Sequence, residues 1–139
     1  MAPNFFIIGA AKAGTTSLYH VLRTHPEVFF PTNKESNYFI TEGRPLAHPE
    51  PGSEQINRMS IHEYDRYRDA YAAAKTRWRG DASPSYLYYP SAAARIHGFA
   101  PQSKILVVLR DPVERAYSAY LHMRAQGAEE APTFEDALR

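Results

Sequence analysis

Apolar residues gather in this chain as short continuous runs separated by segments of helical period, an alternation that predicts an α/β fold. Phe5 to Ile8 is apolar without a break, the pattern of a parallel strand buried on both faces. The loop after it feeds a helix from about Thr15 to Thr24, with Leu18, Val21 and Leu22 on one face and Pro26 as its stop. Val28 to Phe30 is β-prone and halted by Pro31, after which the polar turn from Thr32 to Phe39 returns to aromatic packing. Thr41 to Ser53, interrupted by glycine and proline, reads as an irregular surface loop.

Ser60 to Glu63 has the form of a capping box, and Tyr64, Tyr67, Ala70, Tyr71 and Ala74 then recur at helical spacing as core packing. Arg77 to Ala82 reads as a strand and Ser83-Pro84 as a turn; Tyr86 to Tyr89 fits no single element. Ser91 begins an alanine-rich helix that ends near Gly98. Lys104 to Leu109 is the clearest strand, β-branched and continuously apolar, and is expected to be buried. Asp111, Pro112 and Glu114 supply an N-cap, an N1 proline and an N3 glutamate for the helix that follows. Its expected core stripe is Val113, Ala116, Tyr117, Tyr120 and Leu121, with Glu114, Arg115, Ser118 and His122 on another face. Thr133 opens one more helix. The sum is a three-layer α/β/α domain over residues 1–139 with a central parallel sheet, whose ligand crevice lies at the carboxyl ends of the strands.

Composition narrows the partners. Sixteen basic and fifteen acidic residues leave a formal charge of +1, so no global field favours nucleic acid or an anionic membrane, and any anion site is local. There is no cysteine, hence no disulfide, thiolate metal site or thiol nucleophile. No apolar run is long enough to span a bilayer and no signal region precedes the first strand, so the expected location is cytoplasmic. His62, His97 and His122 share no metal-ligand spacing.

Two segments carry chemistry, each after a predicted strand. Gly9 and Gly14 bracket a loop with the spacing of a Walker A phosphate cradle, but Thr15 stands where that motif has its lysine, and Lys12 projects from inside the loop. The backbone amides of Ala13, Gly14, Thr15 and Thr16, the helix N-terminus and the hydroxyls of Thr15, Thr16 and Ser17 suit a phosphate, with Lys12 closer to where a leaving phosphate would sit. Arg110 ends the second strand, and Ser118, seven residues or about two turns after Asp111, lies back over the same helix entry. Asp111 imitates a magnesium ligand, but its neighbours favour a helix cap.

Lys12-Ala-Gly-Thr-Thr-Ser17 and Arg110-Asp-Pro-Val-Glu-Arg-Ala-Tyr-Ser-Ala-Tyr120 together resemble the two signatures of the sulfotransferases that use 3′-phosphoadenosine 5′-phosphosulfate (PAPS). Lys34-Glu-Ser-Asn-Tyr-Phe39 and Asp81-Ala-Ser-Pro-Ser-Tyr86 resemble segments of the heparan-sulfate and related bacterial branch, with Ala82 in place of a substrate-side lysine. The resemblance implies a P-loop-like sulfotransferase fold of which this chain is the N-terminal portion. It implies sulfuryl transfer from PAPS to a hydroxyl or amine of a small-molecule or carbohydrate acceptor, with the 3′,5′-bisphosphate (PAP) as product and no metal. Lys12 and Glu35 are then the catalytic candidates, as leaving-group donor and general base. Lys12, Ala13, Gly14, Thr15, Thr16, Ser17, Arg110 and Ser118 are the nucleotide-binding candidates. The alternatives are a P-loop-like nucleotide kinase or phosphotransferase, and a non-catalytic nucleotide-binding module.

Overall fold

The computed structural model describes residues 2–41, 45–46 and 53–139; most of the loop expected between Thr41 and Ser53 lies outside them. Four parallel strands, β1 (Phe5–Gly9), β2 (Val28–Phe29), β3 (Trp78–Asp81) and β4 (Lys104–Val107), form one sheet in the order β2-β3-β1-β4. The expected parallel α/β fold is therefore the observed one. The helices are α1 (Thr15–Arg23), α2 (Tyr38–Thr41), α3 (Ser53–Met59), α4 (Tyr64–Asp69), α5 (Pro90–Phe99), α6 (Pro112–Ala125) and α7 (Phe134–Ala137). A 3₁₀ turn at Pro84–Leu87 takes in Tyr86 and Leu87 of the ambiguous stretch, and Tyr88 and Tyr89 link it to α5.

Alternation along β1 builds two cores. Phe5 and Ile7 face α1, packing with Tyr19, Phe30 and Ala82. Phe6 points the other way, into Phe39, Tyr67, Tyr71 and Tyr86 and the α5 residues Ala92 and Ile96. The third layer is thus present on each side of the central strand, and the tyrosines read as core packing are buried as expected, Tyr64 excepted.

Three expectations need correction. The inner face of α1 is Leu18, Tyr19 and Leu22, and Val21 is solvent-exposed; the Tyr19 ring packs edge-on against Phe30 at 4.7 Å and turns the stripe by one residue. Ser60 does not open a helix. Its hydroxyl donates to the Ile56 carbonyl at 2.6 Å and so closes α3, while α4 begins at Tyr64 after Glu63. The cause is Ile61, which is buried and whose N–H donates to the Ser36 carbonyl at 2.8 Å, leaving the chain extended there.

The third correction concerns β4 and α6. The strand expected to be buried, β4, stands at one edge of the sheet, with Ile105 and Val107 nearly half exposed, and Leu109 beyond its end more so. The stripe of α6 has no buried residue: Val113, Tyr117 and Leu121 are all exposed. Hydrophobic period reports which side chains share a face, not whether a neighbour covers it. Here β4 pairs on one side only, with β1, and α6 packs mainly on Phe134 of α7 through Tyr117 and Tyr120.

What the sheet does for the site is to set its two loops side by side. A bulge between Ile7 and Gly9 shifts the β1–β4 register, and pairing then continues past it: Ala10 N–H donates to the Val108 carbonyl and Val108 N–H to that of Gly9, both at 2.8 Å. The start of the first loop is thereby pinned to the segment that leads into Arg110. Gly9 also lets the 3₁₀ turn approach, since a Cβ there would lie 2.7 Å from that of Leu87.

Candidate active site

The first loop leaves β1 at Gly9 and enters α1 at Thr15. Its turn is closed by Ala13 N–H donating to the Ala10 carbonyl at 3.1 Å. The amide expected from Ala13 is thus used within the loop. Gly14, at φ 103, is the N-cap, and Lys12 adopts a left-handed φ of 64. That conformation costs a non-glycine residue about 1–2 kcal/mol, and it turns the lysine out of the line of the loop. The one other non-glycine residue with positive φ among the described residues is Asn37, at φ 49, in the neighbouring loop.

The two sequence motifs meet. Lys12, Gly14, Thr15, Thr16, Arg110 and Ser118 line one cavity of about 230 Å³. Two cations, three hydroxyls and the amino end of a helix thus face the same small volume, a donor set made for a phosphorylated anion. Ser17 is exposed and does not line it, and Ala13 is buried beneath it. Arg110 is held from one side by Glu114, its Nε donating to Oε2 at 3.1 Å. Asp111 is the N-cap of α6, its Oδ1 accepting from the amides of Val113 and Glu114, both at 3.0 Å.

Glu35 lies beside the cradle, joined to it by Lys34. The Lys34 ammonium donates to Thr16 Oγ1 at 3.0 Å and to Glu35 Oε1 at 2.8 Å, and sits 5.9 Å from the Tyr19 ring centroid. Lys34 is a site residue that sequence reasoning passed over. Its signal was present, a lysine directly before the proposed base in a polar turn, but only the fold shows it reaching the first loop.

Asp81 was missed as well. Fully buried at the carboxyl end of β3, it accepts from Ser36 Oγ at 2.7 Å, Ser83 Oγ at 2.7 Å, Tyr67 OH at 2.8 Å and Tyr86 OH at 2.9 Å. Burial pushes its carboxyl above the ordinary carboxylate range while the four hydroxyl donors pull it down. The same burial, with the Asp81 charge beside them, raises the phenols of Tyr67 and Tyr86 well above theirs. Ser83 Oγ also accepts from Asn37 N–H at 3.1 Å. The two residues that follow Glu35 are therefore tied to the end of β3. A carboxylate closing a β-prone run and followed by hydroxyls was the legible hint.

A glycine-bracketed loop on the first βα turn of a parallel sheet, faced by an arginine beyond the end of the neighbouring strand β4, defines an α/β protein with a candidate anion site at the carboxyl ends of its strands. The chain matches the sequence model described as "Sulfotransferase family" over residues 3–138. A crystal structure of a sulfotransferase from Alicyclobacillus acidocaldarius superposes with a TM-score of 0.90 at 40% identity, over 99% of this chain and 56% of that one. Carbohydrate sulfotransferase 15 of Rattus norvegicus is 33% identical over 151 residues, covering 86% of this chain and 27% of that protein. The human bifunctional heparan sulfate N-deacetylase/N-sulfotransferase 3 is 32% identical over 127 residues, covering 88% and 13%. The chain belongs to the sulfotransferase family. It spans about a quarter or less of these curated relatives and about half of the bacterial structure.

Proposed function

We propose that this chain carries the donor cradle and base of an enzyme that moves a sulfuryl group from PAPS to a hydroxyl or amine of a small-molecule or carbohydrate acceptor. The observation that carries this reading is the convergence of Lys12 and Arg110, from two separate motifs, on one cavity lined by Thr15, Thr16 and Ser118. In such a transfer the bond from sulfur to the bridging phosphate oxygen breaks and a bond from sulfur to the acceptor forms, the acceptor proton passing to a base. Lys12 donates to the bridging oxygen as negative charge builds there, an interaction strongest in the transition state. The α1 N-terminus and the threonine hydroxyls hold the 5′-phosphate, and Arg110 with Ser118 holds the 3′-phosphate. Glu35 takes the acceptor proton, and Lys34, which donates to both Glu35 Oε1 and Thr16 Oγ1, holds that carboxylate beside the cradle. The names of the relatives support a saccharide acceptor for those proteins.

Charge-assisted hydrogen bonds contribute roughly 1.5–3 kcal/mol each, so PAP should outbind adenosine 5′-phosphate by roughly ten- to a thousandfold. Calorimetry with both nucleotides in the presence of a chelator, on the parent and on Arg110→Ala, is the test. The variant should lose most of the discrimination and keep the weaker 5′-phosphate affinity. A parent that binds both nucleotides equally removes the 3′-phosphate site from Arg110.

A further inference from the structure

Glu35 stands between two cavities. Lys34 joins it to Thr16 and so to the cradle, and on its other side lies a cavity of about 320 Å³, the size of a small-molecule site. Helix α6 spans both: Ser118 lines the cradle, and His122, four residues on and therefore on the same face, lines the second cavity. In-line transfer needs the acceptor beside the base and across the sulfuryl group from the leaving oxygen. Of the two cavities, this second one has Glu35 in its lining.

Its lining has a definite chemistry. Ile56, Met59 and Met123 form apolar walls, and the thioethers adapt to irregular shapes. Asn37, His122 and Gln126 supply hydrogen bonds. Asn37 is 2% exposed, and its Oδ1 has no hydrogen-bond partner among the described residues, a buried acceptor group one residue beyond the Ser36 anchor. No lysine or arginine lines the cavity among the described residues, and the nearest ammonium, that of Lys34, is already paired with the Glu35 carboxylate and Thr16. A uronate or sulfated saccharide would need the opposite, cations placed to take carboxylate or sulfate oxygens.

We infer that this second cavity is the acceptor site and that it selects an uncharged alcohol or phenol with an apolar body over an anionic acceptor. The inference rests on the sulfuryl-transfer reading and on Glu35 as base, and it sets this chain apart from relatives named for heparan sulfate.

Two probes that differ by one carboxylate, 2-naphthol and 6-hydroxy-2-naphthoate, test it on the protein saturated with PAP. Methyl-labelled methionine reports the location, because Met59 and Met123 both line the cavity. The neutral naphthol should bind at least about tenfold more tightly, one charge contact, and should shift the Met59 and Met123 methyl signals. Met59→Lys, a change on the exposed side of α3, should erase or invert the preference. Equal or tighter binding of the carboxylate by the parent overturns the acceptor class and leaves sulfuryl transfer standing. Binding that leaves both methyl signals unmoved, or a preference unchanged by Met59→Lys, overturns the location. Failure of the protein to bind PAP itself would overturn the donor reading, and this inference would fall with it.

Discussion

The two loops that meet at the site are held in opposite ways. The segment carrying Lys34 and Glu35 runs into the interior: Ser36 and Asn37 are buried, and four hydroxyls converge on Asp81 beneath them. The segment carrying Arg110 and Ser118 lies outside, on a helix with no buried residue, fastened by an N-cap, an ion pair and contacts to α7. Each has a cation paired with a carboxylate, but the surroundings differ. Lys34–Glu35 is 2.8 Å long with side chains 18% and 31% exposed, whereas Arg110–Glu114 is 3.1 Å long with 41% and 64%. Lys34 and the buried residues that follow thus hold Glu35, the base proposed above, in one position, as proton transfer requires. On the side proposed for the 3′-phosphate, the ion pair of Arg110 with Glu114 is open to solvent.

The strongest way to break this contrast is at Asp81. Asp81→Ala leaves four buried hydroxyls without their acceptor and should destabilise the fold by roughly 3 kcal/mol or more, read by urea denaturation. Asp81→Asn keeps the shape and tests the charge. Since burial raises the Asp81 carboxyl in the folded state, its contribution is greatest below the unfolded value near 3.8 and declines as pH rises through the folded one. The Asn variant should lack that decline; a parallel pH profile for parent and variant would mean that Asp81 is not raised.

Next in size is Glu35, the proposed base. Glu35→Gln preserves the shape of a side chain already aimed by Lys34, and should lower turnover by about a hundredfold or more, with PAP affinity nearly unchanged. The split matters for the comparison: a preorganised base lost by chemistry alone changes kcat, whereas a loop that loses its order also weakens donor binding through Thr16. Normal turnover in Glu35→Gln would move the base elsewhere.

How much of this was legible beforehand follows the same division. The strands, the cradle and the Asp111 cap depend on short-range chemistry, glycine spacing, apolar runs and N-cap signals, and the structure has them where the sequence placed them. Parallel pairing of the first and last strands then brought Lys12 and Arg110 to one cavity. What escaped depends on neighbours distant in sequence. Asp81 meets Ser36 across 45 positions and Lys34 meets Thr16 across 18, and no local pattern encodes either contact. The burial expected for β4 and α6 failed for the same reason, because an apolar face carries no record of its partner.

On the exposed side the effects shrink. Asp111→Ala removes the acceptor for two amides at the start of α6 and should cost about 1 kcal/mol, visible as a modest fall in the urea midpoint. It should also weaken PAP by loosening the entry to the helix that presents Ser118. A loss as large as that of Asp81→Ala would mean that α6 is as integral to the fold as the Asp81 cluster.

The smallest effect is expected at Glu114, and its sign is the informative part. Its pair with Arg110 is solvent-exposed, so Glu114→Gln should change stability by less than about 0.5 kcal/mol. On the proposed reading, in which Arg110 holds the 3′-phosphate, the Glu114 carboxylate competes for the same guanidinium. Removing its charge should therefore tighten PAP a few-fold while leaving adenosine 5′-phosphate unaffected, and the gain should fade at high salt, where exposed charges are screened. Had Glu114 instead served to aim Arg110, as Lys34 aims Glu35, the same change would weaken PAP. Calorimetry on this one variant thus decides whether the second ion pair is a competitor for the nucleotide or a copy of the first.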